Sequence, residues 1–135
     1  MAPQEDEPAA GRLTLSVRQP WATLIVAGLK TIEIRKWSTK RRGEVHLHAG
    51  KLIDTREAGW ELVPDAWSDA TECRGGLVGR ARLVDCVAYR DAEQFSRDAR
   101  LHCCPADWFV GPVMFGFVFE GAEEIPFEPA RGGLH

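Results

Sequence analysis

The seven residues from Thr31 to Trp37 alternate: Ile32 and Ile34, followed by Lys36, on one side, and Thr31, Glu33, Arg35 and Trp37 on the other. A period of two belongs to a half-buried β-strand, not to a helix. After a basic loop at Ser38–Gly43, the stretch Val45–Ala49 alternates again, with Val45, Leu47 and Ala49 opposite His46 and His48. Upstream, Leu13–Ser16 reads as a first strand. Pro20 then suits the first position of a helix, with Trp21, Leu24, Ile25 and Gly28 at helical spacing. Gly28 suits the left-handed residue that ends such a helix, with Leu29 folding back as its apolar contact. Gln19 falls where the cap belongs. Glutamine caps poorly, so its side chain is expected to be placed for another purpose.

The second half has less regular punctuation. Asp54–Leu62 reads as a short helix with Asp54 and Thr55 as cap candidates, and Pro64–Gly76 as a long irregular excursion. Leu77–Tyr89 reads as a long strand bulged at Gly79, and Asp91–Arg100 as a polar helix capped by Asp91. Val113–Glu120 is an apolar, aromatic strand, and Ile125–His135 a tail rich in Pro and Gly. Five or so strands, two or three short helices and no βαβ alternation predict an α+β fold: a small barrel with helices on its outside. The 135 residues suit one domain over 13–135, with the acidic residues 1–12 as a disordered lead-in that lacks the apolar core of a secretory signal. No apolar run approaches the roughly 20 residues of a membrane helix.

Charge is distributed unevenly. Between Arg18 and Lys51 there are eight Lys/Arg and two acids; outside that stretch nine basic residues face eighteen acids. A mildly acidic chain with its positive charge gathered beside Trp21 and Trp37 predicts a local site for an anionic ligand. Cys73, Cys86, Cys103 and Cys104 have poor spacing for zinc, even with His102, and read as reduced thiols of a cytoplasmic protein. His46 and His48 share a strand face, but no third ligand accompanies them, so neither metal nor other cofactor is expected.

Neighbours at i and i+2 on a strand lie roughly 7 Å apart. Glu33, Arg35 and Trp37 could thus accept from a base amino group, hold a phosphate and stack a base. They could equally be a surface ion pair with Trp37 packed under the basic loop. Lys30 could reach a phosphate, act as a general base if desolvated, or be a solvated charge. Thr31, the nearest hydroxyl, reads as structural. Lys40, Arg41 and Arg42 read as a solvated loop or as contacts to a nucleic-acid backbone. Trp21 reads as core, and Trp60, Trp67 and Trp108 as core or lid aromatics.

Ser16-Val17-Arg18-Gln19-Pro20-Trp21-Ala22, then Gly28-x-Lys30-Thr31-x-Glu33-x-Arg35 and Trp37, resembles the ASCH domain, the activating-signal-cointegrator homology module related to the PUA RNA-binding domain. Gly43, His48-Ala49-Gly50-Lys51 and Gly111-Pro112-x-x-Phe115-Gly116-Phe117 are similar to its pattern. The resemblance runs from about Leu13 to the C-terminus. It implies a PUA-like β-barrel with a cleft beside the first helix, walled by Gln19, Lys30, Glu33, Arg35 and Trp37, with Lys51 and the Lys40–Arg42 loop outside. It also implies an RNA or nucleotide-like ligand. One branch of the family hydrolyses N4-acetylcytidine, using a lysine matching Lys30 to assist a threonine three positions on; this chain has Glu33 there. Another branch cleaves RNA. Members usually close with a further strand, where this chain has Arg131-Gly132-Gly133-Leu134-His135.

Three functions are therefore open. The first, which is preferred, is a module that binds RNA or a nucleotide. The second is a hydrolase, either an amidohydrolase or a ribonuclease, with Lys30 and Glu33 as catalytic acid/base groups and water as nucleophile. The third is a protein-interaction module using an open barrel edge.

Overall fold

The computed structural model describes residues 13–132; the lead-in at 1–12 and the last residues of the closing segment lie outside them. The chain runs β1 (Thr14–Val17), α1 (Trp21–Val26), β2 (Ile32–Arg35), β3 (Gly43–Ala49) and α2 (Glu57–Trp60). Two 3-10 turns follow, Asp65–Trp67 and Asp69–Glu72. Then come β4 (Gly76–Tyr89), α3 (Ala92–Arg97), α4 (Ala99–His102), a 3-10 turn at Ala106–Trp108 and β5 (Met114–Pro129). The five strands form one curled sheet in the order β1-β3-β4-β5-β2, a half-barrel carrying short helices, as the sequence predicts.

The sheet hangs on the β4–β5 hairpin, paired antiparallel from Gly76↔Pro129 to Tyr89↔Met114. Register shifts at Leu77/Gly79, Arg80/Arg82 and Leu83/Asp85 bend it, because each extra residue on one strand increases the local twist. The bend gives each end of the hairpin its own partner: β3 pairs with Gly76–Leu83 of β4, and β2 with Phe115–Val118 of β5. β1 adds to β3 in parallel. The two edge strands, β1 and β2, are thereby brought face to face without a ladder between them. Across that gap the Arg35 guanidinium donates from Nη2 to the Ser16 carbonyl at 2.6 Å.

The predicted alternation places the core. Val45, Leu47 and Ala49 of β3, Leu15 and Val17 of β1, and Leu24, Ile25 and Val26 of α1 are buried against Val78, Ala81 and Leu83 of β4 and Phe117 and Phe119 of β5. Gly28 (φ +81°) ends α1, and the amides of Gly28 and Leu29 bond back to Ile25 and Leu24. Leu29 itself stays exposed and makes no apolar fold-back.

Some predicted boundaries shift for identifiable reasons. α2 is a single turn because Asp54 gives its carboxylate to Trp21 and Arg56 rather than to a helix end. The polar helix does start on an Asp91 cap, with Oδ1 accepting from the Gln94 amide. It breaks at Asp98, whose carboxylate takes the Tyr89 hydroxyl, and ends at left-handed Cys103. The expected Pro/Gly tail is instead strand as far as Pro129, because β4 offers ladder partners throughout. Pro126 falls between the Leu77↔Glu128 and Gly79↔Glu124 pairs, where an irregular register tolerates a missing N–H.

The bulge expected at Gly79 is present, and it is a point of close approach. A Cβ there would overlap Val26 Cγ2 and come within 2.7 Å of the Glu123 carbonyl. Gly79→Ala is expected to lower stability by about 1–3 kcal/mol, read as a lower urea midpoint at unchanged slope.

Candidate nucleotide-binding cleft

A cleft of about 830 Å³ opens in the gap between the two edge strands. One lip carries Ser16, Val17 and Arg18 of the β1 end, with Gly50, Lys51 and Leu52 after β3. The other carries Glu33, Ile34 and Arg35 of β2, with Lys36 and Trp37 just beyond it. Trp21, His48, Met114 and Gly132 complete the lining. Four of these residues are cationic and one is acidic, and the acid is already committed within the protein. Glu33 Oε2 accepts from Arg35 Nε at 3.1 Å, and Oε1 lies 3.6 Å from Lys30 Nζ.

Lys30 is not a cleft-wall residue. Its side chain is 1% exposed, its ammonium donates to the His102 carbonyl, and it sits 4.8 Å from the centre of the Trp21 ring. A buried cation so placed holds Glu33 from behind and leaves a ligand only the outer side of the carboxylate. Arg35 is likewise largely spoken for, with Nε on Glu33 and Nη2 on Ser16. Trp37 lies past the end of β2, 38% exposed, in a T-shaped contact with Phe117 at 6.5 Å and with the Arg35 guanidinium 5.5 Å from its ring centre. One face of the indole is thus backed by the protein while the residue remains open to the cleft.

Gln19 does not line the cleft, contrary to the expectation from sequence. It is fully buried: Oε1 accepts from the Thr23 amide and hydroxyl, and Nε2 donates to the carbonyls of Ala70 and Cys73. It thus satisfies the first turn of α1 and straps the excursion to it. Nor do Lys40, Arg41 and Arg42 reach the lining; Arg42 bonds the carbonyls of Thr39 and Arg41 and lies 3.7 Å from Asp85. Lys51 does sit on the lip, its stem passing over Gly75.

His46 and His48 part company. His48 is in the cleft floor, bonded to Ser16 Oγ and to the Ala130 carbonyl, while His46 borders a separate hollow with Arg80 and Glu123. Among the described residues, no group of three or more His, Cys, Asp or Glu is placed to hold a metal ion. Sequence reasoning missed Ser16, Arg18, Lys36, His48, Leu52 and Met114 as lining residues. The signal for His48 was its position in the His48-Ala49-Gly50-Lys51 segment; Met114 carried none.

Behind the cleft, Trp21 Nε1 donates to Asp54, and Trp21 meets Trp108 edge-on at 5.8 Å. Arg56 stacks 3.5 Å from the centre of the Trp108 ring and forks onto Asp54, holding that carboxyl well below the usual carboxylate range. Burial pushes the Cys103 thiol up and the Cys104 thiol to about 11, so both stay protonated at neutral pH beside Lys30.

A model of the ASCH domain family matches residues 15–130. The chain belongs to the ASCH family. It is 33% identical over 94 residues to activating signal cointegrator 1 of Homo sapiens and 35% identical to that of Mus musculus. In each case the match takes in 63% of this chain and 16% of the relative, so this ASCH chain spans a small part of those proteins. The crystal structure of ASCH from Zymomonas mobilis is similar at 20% identity and a TM-score of 0.58, covering 84% of this chain and 70% of that one. A mutant of the same protein gives 18%, 0.59, 90% and 84%. These likenesses carry the fold.

Two tests follow from the buried groups. Lys30→Met leaves Glu33 and the His102 carbonyl without their cation. It is expected to cost about 3 kcal/mol in urea unfolding, as removing one partner of a buried pair does. His102 is the second. It is fully buried, with Nε2 donating to the Phe95 carbonyl and Nδ1 accepting from the Cys104 amide. That arrangement needs a neutral ring, and burial holds its pKa below the ordinary 6.5. The unfolded chain then binds the extra proton, so stability contributed above about pH 6.5 is lost as pH falls towards the folded-state value. Unfolding midpoints measured from pH 8 to pH 5 should decline, and His102→Gln should flatten that decline.

Proposed function

We propose that this ASCH domain binds RNA or a nucleotide, taking a nucleobase against Trp37 and Glu33 and phosphate on the cations of the lips. The ASCH family is linked to RNA binding. The observation that carries the reading is the division of charge in the cleft. Glu33 and Arg35 are locked to each other and to the protein, whereas Arg18, Lys36 and Lys51 are exposed and form no ion pair among the described residues. A fixed carboxylate favours a base amino group, an exposed indole a base face, and exposed cations a phosphate. Lys40, Arg41 and Arg42, outside the cleft, would extend the contact along a longer backbone.

The same geometry favours binding over hydrolysis. A general base must reach the proton it takes. Lys30 Nζ is sealed from the cleft, and Glu33 is held by two cations.

Titration with short single-stranded RNA should show binding that weakens with salt. Trp37→Ala should cost roughly 1–3 kcal/mol of that binding, with a smaller change in the unfolding midpoint. N4-acetylcytidine and RNA should come through incubation unchanged. Turnover that is lost in Glu33→Gln would show that the chain is a catalyst.

A further inference from the structure

The two lips of the cleft repeat one arrangement. On the β2 side Lys36 is followed by Trp37; on the β3 side Lys51 is followed by Leu52. Each pair sets an exposed cation beside an exposed apolar side chain, and all four residues line the same cleft. Leu52 is 67% exposed, more than any other large hydrophobic among the described residues. A single exposed leucine means little by itself. This one lines the same cleft as an exposed tryptophan carried by the other lip, together with the polar groups Ser16, Glu33 and His48.

The topology sets the two pairs on opposite lips. β1 and β3 are neighbours and β2 is the opposite edge, so Arg18 and Lys51 stand together and Lys36 stands facing them. A ligand carrying one phosphate can engage one lip. A ligand that uses both must carry phosphates on both sides of the group that enters the cleft. An internal nucleotide of a strand has that form: one base between two backbone phosphates. Its base must also be unpaired, because a base stacked in a duplex cannot enter a cleft edge-first between two side chains.

We propose that the cleft takes one internal nucleotide of a single-stranded RNA. Its base lies between Trp37 and Leu52, and its flanking phosphates lie on Lys36 at one lip and on Lys51 with Arg18 at the other. The inference rests on the nucleotide-binding reading and adds Leu52, Lys36 and the requirement for two phosphates. Trp37 supplies a π face and Leu52 an apolar cover that keeps water from the opposite face of the base. Glu33, below them, is left the base edge to read.

The test compares four trinucleotides, UCU, UAU, UGU and UUU, with the matching nucleoside 5′-monophosphates. It also uses a trinucleotide whose central residue is abasic. Affinities are measured by calorimetry at several salt concentrations. The best trinucleotide should bind at least about tenfold more tightly than its mononucleotide, since it neutralises both lips. Removing the central base should weaken it by roughly 5- to 100-fold. Lys36→Gln and Lys51→Gln should each lower the slope of log affinity against log salt by about 0.7, the single-strand value for one phosphate contact. Leu52→Ser should weaken the trinucleotide about tenfold with an unchanged unfolding midpoint, because the side chain is exposed. If the mononucleotide matches the trinucleotide, or if Leu52→Ser binds like the parent chain, the two-lip arrangement is wrong while nucleotide binding stands. If no trinucleotide and no mononucleotide binds, nucleotide binding itself is wrong.

Discussion

A buried ammonium organises this molecule. Lys30 is as inaccessible as any core leucine, and taking its charge out of water is repaid only if every partner is in position. Those partners come from three parts of the chain: the Trp21 ring from α1, Glu33 from β2, and the His102 carbonyl from the end of α4. A misplaced α4 or a slipped β2 would strand the charge. The wall of the cleft is therefore fixed by folding, before any ligand arrives, and the carboxylate at its centre cannot swing away to suit a guest. Under the proposed binding, that rigidity leaves little ordering to be done when a ligand arrives.

The charges divide into two populations by their partners. Lys30, Arg35 and Arg56 are held by Glu33, Ser16 and Asp54 and act as framework. Arg18, Lys36 and Lys51 stand exposed at the lips. The +6 stretch visible in the sequence is thus a mixture, and net charge alone overstates how much of it faces a ligand. Exposed pairs contribute little to stability, so the lip cations are retained at almost no cost to the fold.

How much was legible in the chain depended on whether a residue's partners were local. The Thr31–Trp37 alternation placed Glu33 and Arg35 side by side, because a strand fixes i and i+2 on one face whatever else happens. The end of α1 at Gly28 and the Asp91 cap were readable for the same reason. Gln19 and Lys30 were not, since the carbonyls that bury them belong to residues 70, 73 and 102. The poor capping record of glutamine did flag Gln19 as unusual, and it turned out to cap and strap at once. β5 ran past its expected end because ladder partners in β4 outweigh local Pro and Gly preferences. Leu52 had no signal at all: it follows a lysine in a loop, and only the curl of the sheet brings it into the same cleft as Trp37.

The width of the cleft is governed by one side chain rather than by a row of backbone bonds. Where strands are laddered, their separation is fixed near 4.8 Å; where β1 faces β2, the spacer is the Arg35 guanidinium reaching to Ser16. That spacer is anchored at both ends, on the Glu33 carboxylate and on the Ser16 carbonyl, so side-chain chemistry sets the separation of the two edge strands. The opening of the cleft and the register of the sheet are thus held by different residues: a change at Arg35 acts on the gap while the ladders of β3, β4 and β5 keep their pairing.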